Sequence, residues 1–180
     1  MKYILPRLQL ILLVLPALLL AGSCNKEKTQ QPGEGEYFVK FKVNGQQKVF
    51  TAGAAGPKKQ TATDGKYLFS VTGNKNTAGG INDHTILITL LNDNLIKAGT
   101  YRNSGSSTNL NVGIIYIDES ATSWSSVWVT LNNWKADAEV IIDELNEEYV
   151  KGRFSSSVYR GDQLDAAQSI TEGSFFVPVY

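Results

Sequence analysis

Several residue types are scarce in this 180-residue chain, and each scarcity narrows what it can do. Cys24 is the only cysteine, so no intrachain disulfide can form. His84 is the only histidine, in the stretch Asn82-Asp83-His84. A zinc site needs three or four convergent His, Cys or carboxylate ligands. A Ser-His-Asp triad would have to use His84, and no Gly-x-Ser-x-Gly elbow accompanies it. His84 therefore reads as a loop residue ahead of a strand, and no metal or cofactor is expected. An excess of one charge is also missing, with 17 basic residues against 17 acidic. Setting aside Lys2 and Arg7 leaves 15 against 17, a net of −2, with no basic stripe of the kind nucleic acid requires. Nor is there an apolar run of the about 20 residues that a membrane-spanning helix needs.

What the first residues do contain is a sorting pattern. Lys2 and Arg7 precede an apolar run of 13 residues, Leu8 to Leu20, broken only by Gln9 and Pro16. That length suits the hydrophobic core of a signal peptide. Ala21-Gly22-Ser23 then lead into Cys24, the order a lipoprotein signal peptidase cuts before a diacylglycerol-bearing cysteine. Residues 1–23 are read as a lipoprotein signal peptide and Cys24 as the lipidated residue. Its thioether lipid, together with an acylated amino terminus carrying palmitate-type chains, suffices for stable anchoring. Asn25 in place of Asp disfavours retention at the inner membrane, so the expected address is the outer membrane of the cell envelope. Glu27 is a lone acid rather than a surface-export cluster, which leaves the leaflet open. Residues 24–36, CNKEKTQQPGEGE, form a polar tether with a reach of at most roughly 40 Å.

From Tyr37 the pattern changes to period two, and residues 37–180 read as one all-β domain. Tyr37, Val39, Phe41 and Val43 alternate with Phe38, Lys40 and Lys42. Asn44-Gly45 follows, the preferred pair for a type I′ turn, with Gln46 to Phe50 returning. Ala52 to Gly65 reads as a connection, and Gly73 to His84 as a mobile loop. Tyr67, Phe69 and Val71 mark another strand, and Thr85 to Leu91 is apolar on both faces, hence central. Further β-rich runs are Val112 to Ile117 and Val127 to Leu131. Ala138 to Leu145 and Tyr149 to Tyr159 make a second hairpin around Asn146-Glu147-Glu148, with Glu139 and Asp143 placed to pair with Lys151 and Arg153. Leu164 to Ser169 suggests a helical turn, and Phe175 to Tyr180 a short edge strand because of Pro178. Eight or nine short strands predict an antiparallel sandwich or barrel.

LLLAGSC at Leu18 to Cys24, FKVNGQQKVFTA at Phe41 to Ala52 and IKAGTY at Ile96 to Tyr101 resemble segments of a family of small, uncharacterised Bacteroidetes-type lipoproteins. AEVIIDELNEEYVKGRF at Ala138 to Phe154 and the terminal EGSFFVPVY resemble it too. The resemblance implies a membrane-tethered all-β domain. It implies no established activity and no functional residue beyond Cys24.

Candidate chemistry is thin. Asp143, Glu144, Glu147 and Glu148 crowd one turn, whereas glycoside hydrolysis needs two carboxylates facing across a cleft. Asn92-Asp93-Asn94 lacks the spacing of a calcium loop and reads as a turn. Trp124, Trp128 and Trp134 fall within 11 residues. On a continuous strand Trp124 and Trp128 share one face. With Asn132 and Asn133 beside them, exposed indoles would form a platform for sugar rings. A bulge at Ser125-Ser126 would instead send the indoles into the core. The expected function is a non-catalytic binding or assembly module, its partner a glycan or another envelope protein. A carbohydrate-binding lipoprotein is the second reading, and a glycan-acting enzyme the third.

Overall fold

Alternation of apolar and polar side chains becomes, in the computed structural model, an all-β fold whose inner face is a continuous apolar core. The structure describes residues 37–54, 62–75, 84–103, 111–129, 134–161 and 163–180. In chain order the strands are β1 Phe38–Val43, β2 Gln46–Phe50, β3 Ala52–Ala54, β4 Ala62–Thr63, β5 Lys66–Asn74, β6 Thr85–Asn92 and β7 Gly99–Arg102. They continue as β8 Val112–Ile117, β9 Ser123–Ser125, β10 Val127–Val129, β11 Trp134–Ala136, β12 Ala138–Leu145, β13 Tyr149–Arg160 and β14 Gln163–Pro178. Among the described residues there is no helix. The principal sheet is antiparallel, runs β2-β1-β14-β13-β9-β8-β6-β5-β3, and curls into a half-barrel.

Local chemistry accounts for the turns. Asn44 and Gly45 have φ of 48° and 84°, so the β1–β2 hairpin closes through the expected two-residue turn, with Val43 opposite Gln46. Asp64 and Gly65 repeat the device at φ of 52° and 76°, joining β4 to β5 within what reads in the sequence as a plain connection. In the β12–β13 hairpin, Asn146 Oδ1 accepts the backbone N–H groups of Glu148 and Tyr149. β6 lies centrally, between β5 and β8, as its two apolar faces require. The proposed mobile loop is shortened from both ends, because β5 reaches Asn74 and the Lys75 N–H donates to the His84 carbonyl. Residues 76–83 lie outside the described residues.

Two expectations fail at the end of the chain. Leu164 to Ser169 belongs to β14, a strand of 16 residues, and is not a helical turn. The same strand continues to Pro178 and lies between β1 and β13, so it is no edge. Pro178 is tolerated because β1 pairing begins only at Phe38, opposite Phe176, leaving the proline beyond that ladder. A register shift near Glu172, at φ 52°, moves the inward set from Ala166, Gln168 and Ile170 to Gly173, Phe175 and Val177. The charge pairing on β12–β13 is half as expected: Asp143 holds Arg153 through two hydrogen bonds, at 2.8 and 3.1 Å. Glu139 instead pairs with Arg102 of β7, its neighbour on the other side.

The inner file of β13, Val150, Gly152, Phe154, Ser156 and Val158, is buried throughout. Gly152 stands opposite Phe175, and Phe154 opposite Gly173. A Cβ on Gly152 would lie 2.3 Å from the Ile141 carbonyl oxygen and 2.5 Å from the Phe175 ring. Backbone cannot yield as a side chain can, so Gly152→Ala is expected to cost roughly 2–3 kcal/mol, as overpacking does. A denaturant midpoint equal to that of the native chain would refute this account of β13.

Candidate functional site

One end of the half-barrel opens into a cleft of about 290 Å³. Its walls come from the β1–β2 hairpin (Val43, Asn44, Gln46, Lys48), the end of β8 with the turn after it (Tyr116, Asp118, Glu119, Ser120) and Gln168 of β14. Strand parity brings the floor together. Tyr116 continues the inward file of Val112 and Ile114, and Gln168 shares the inward parity of Ile170.

The β8–β9 turn is built on Asp118. Oδ1 accepts the backbone N–H groups of Ser120 (2.9 Å) and Thr122 (3.0 Å), while Oδ2 accepts the indole N–H of Trp124 (2.9 Å). Burial pushes the Asp118 carboxyl up, but the donors outweigh it and hold the group below its ordinary value. Beside it Glu119 accepts from the Lys48 ammonium at 3.0 Å, an ion pair that straps the β2 hairpin to the turn. This hydrogen bond and the lysine charge, with a smaller contribution from His84, lower the Glu119 carboxyl. His84 Nδ1 lies 3.8 Å from the same carboxylate, directly ahead of β6 as expected. The Tyr116 phenol is pushed up to about 12 by burial and by the charges of Asp118 and Glu119.

Buried polar groups elsewhere are mostly satisfied. Ser156 Oγ donates to the Asp137 carbonyl, and Thr85 Oγ1 donates to Asn74 Oδ1 at 2.8 Å. Among the described residues, two buried side-chain oxygens have no partner, Ser174 Oγ and Gln168 Oε1. A buried polar atom left unpaired costs about 1–3 kcal/mol. Only Gln168 belongs to the cleft.

The tryptophan platform does not form as a pair. Trp124 is 9% exposed, packed in the core and tied to Asp118. The shared-face argument needs a continuous strand, and Ser126 interrupts it. Its N–H donates to the Ile114 carbonyl and its Oγ accepts the Ile114 N–H, while Ser125 Oγ accepts from Val127 N–H. After that bend β10 leaves the main sheet and pairs with β11. The side chains of Trp128 and Trp134, and all of Asn132 and Asn133, lie outside the described residues, as do residues 1–36 with Cys24. The acidic turn is a solvated one: Asp143 is bound to Arg153, and Glu144 accepts from the Tyr149 hydroxyl. In the Asn92 turn, Asp93 pairs with Lys66 at 3.0 Å.

Sequence reasoning did not find Lys48, Tyr116, Asp118 or Gln168 as a site. The available signal was a glutamine two residues before Ile170, on a strand that reads as a helical turn until the bulge at Glu172 is known. Compared with known proteins, the chain finds no match among family models, curated proteins or solved structures.

Two outcomes follow from the Asp118–Tyr116 pair. Asp118 is more acidic folded than unfolded, so its contribution to stability is present above its ordinary value near 3.9 and is lost as the pH falls. Asp118→Asn sets an amide N–H against one of the three donors; denaturation across an acid pH series should show a loss of about 1–2 kcal/mol at neutral pH and a flatter acid slope. Tyr116 holds its proton more tightly folded than unfolded, so stability falls as pH rises from about 10 through about 12. Tyr116→Phe should remove that alkaline component, and an unchanged alkaline profile would count against a buried phenol.

Proposed function

We propose that this chain is a lipoprotein of the bacterial cell envelope, anchored in the outer membrane through Cys24, whose β domain is a non-catalytic binding or assembly module. Its ligand seat is the cleft at the Asn44 end of β1. The observation that carries this reading is the state of the two cleft carboxylates. Asp118 is occupied by three N–H donors and Glu119 by Lys48, and both are held below their ordinary values. Hydrolysis of a glycan calls for one carboxyl kept protonated near neutral pH, facing a second across the bond. Neither acid here is suited to donate a proton, whereas a concave, largely polar seat is suited to hold a ligand.

The anchor reading rests on the apolar run Leu8 to Leu20 and on Ala21-Gly22-Ser23-Cys24. The partner is a glycan or another envelope protein.

Cys24→Ser is expected to abolish incorporation of labelled palmitate and to move the chain from the membrane fraction to the soluble one. A variant that stays membrane-bound would remove the anchor from this reading. Incubation of the purified protein with envelope polysaccharides is expected to give no turnover. Turnover that disappears in Glu119→Gln would replace the binding module with an enzyme.

A further inference from the structure

We infer that the cleft takes a small neutral polyhydroxylated ligand, one sugar ring in size, held at its floor by Gln168 and Tyr116. The inference rests on the proposed binding role of this cleft and adds the chemical class of its ligand. At about 290 Å³ the space stands at the small end of ligand pockets, enough for a single ring and not for an extended chain.

The floor is assembled from two neutral groups that each combine hydrogen-bond donor and acceptor. Tyr116 contributes a phenolic hydroxyl, which the burial of its ring keeps protonated. Gln168 contributes an amide whose Oε1 is turned inward, closed off from solvent and without a donor. Nothing in the fold rewards that orientation of the oxygen. Rotation of the terminal amide brings Oε1 to the cleft, where a ligand O–H can donate to it. Adjacent hydroxyls on a ring meet this demand, because each of them both gives and accepts a hydrogen bond.

Charge on the rim decides against the other small polar classes. The cleft carries Asp118 and Glu119 against Lys48, so an anion such as phosphate meets a net negative wall. An ammonium group meets carboxylates that already have their donors, Asp118 from Ser120, Thr122 and Trp124 and Glu119 from Lys48. The unpaired oxygen at the floor belongs to the uncharged amide.

The test is calorimetric titration of the full chain, in a polyoxyethylene detergent that carries no sugar. The probes are glucose, galactose and N-acetylglucosamine, with ethanolamine and inorganic phosphate as charged comparisons. Saturable binding of at least one monosaccharide is expected, weakened about tenfold in Tyr116→Phe and in Gln168→Leu. Gln168→Leu should also melt at a higher temperature than the native chain, because it removes a buried unpaired oxygen. A lower melting temperature would mean that the oxygen is paired in the fold, and the inference falls. Sugar binding that is unchanged in both variants places the ligand elsewhere and also overturns it. Binding of ethanolamine or phosphate without any monosaccharide refutes the hydroxyl class yet keeps the cleft as a binding site. If none of the five binds, the cleft reading itself fails.

Discussion

At Gly152 and Gly173 the neighbouring strands β13 and β14 carry no side chain on their inner face, and two phenylalanine rings occupy the space. Phe175 stands across from Gly152 and Phe154 across from Gly173, with ring centroids 6.3 Å apart. A Cβ at either glycine would fall within 2.5 Å of a backbone oxygen. The curl of the sheet depends on this reciprocal arrangement. It fits the inner faces of β13 and β14 together, and the Phe154 ring reaches Phe41 of β1 at 5.9 Å. Gly73 serves the opposite side of the curl, where a Cβ would strike Val39 at 2.8 Å. The antiparallel sheet thereby curls around a single core.

The long strands follow from that seam. β13 gives one flank to β14 and divides the other, with β12 along its first half and β9 at its end. The β7–β12 pair and the β9–β8–β6–β5 run therefore branch from one strand. On the outer face the charges are laid out as cross-strand pairs, Arg153 with Asp143 and Arg102 with Glu139. Such exposed pairs contribute little individually, commonly below about 1 kcal/mol. Their value lies in register, since a slip by one residue would turn Val140 and Phe154 outward and the charges inward.

Period-two patterning and turn chemistry were legible because they are local. Asn44-Gly45 dictates positive φ at two adjacent residues, and the files of β1 and β13 alternate without interruption. What escaped reading was whatever broke the period. The bulge at Glu172 shifts inward parity by one, so Ala166, Gln168 and Ile170 no longer align with Phe175 and Val177, and the strand looks like two unrelated pieces. At Ser126 the interruption is a side-chain substitution for a ladder bond: a buried serine hydroxyl accepts the Ile114 N–H, and the chain bends away. Trp124 and Trp128 have the same parity in the sequence yet stand on strands of different sheets. The cleft was illegible for a related reason, since its residues come from three separated segments joined only by the curl.

The mouth of the half-barrel is where the apolar interior gives way to polar groups, and the two inward polar residues there meet that change differently. Tyr116 packs its ring in the core beside Phe41, 5.7 Å away between centroids, and also lines the cleft. Gln168 has a shorter apolar stem and a larger polar head, and its Oε1 is buried without a partner. Ser126, Ser156 and Thr85 find partners for their buried polar atoms, whereas Ser174 Oγ, like Gln168 Oε1, has none. Stability alone would favour an apolar residue beside Ile170. A glutamine held there against that preference is the kind of local inconsistency that functional sites carry. The rigid seam around Phe154 and Phe175 lets the fold sustain it, because the cost at the mouth is small beside the burial that closes the sheet.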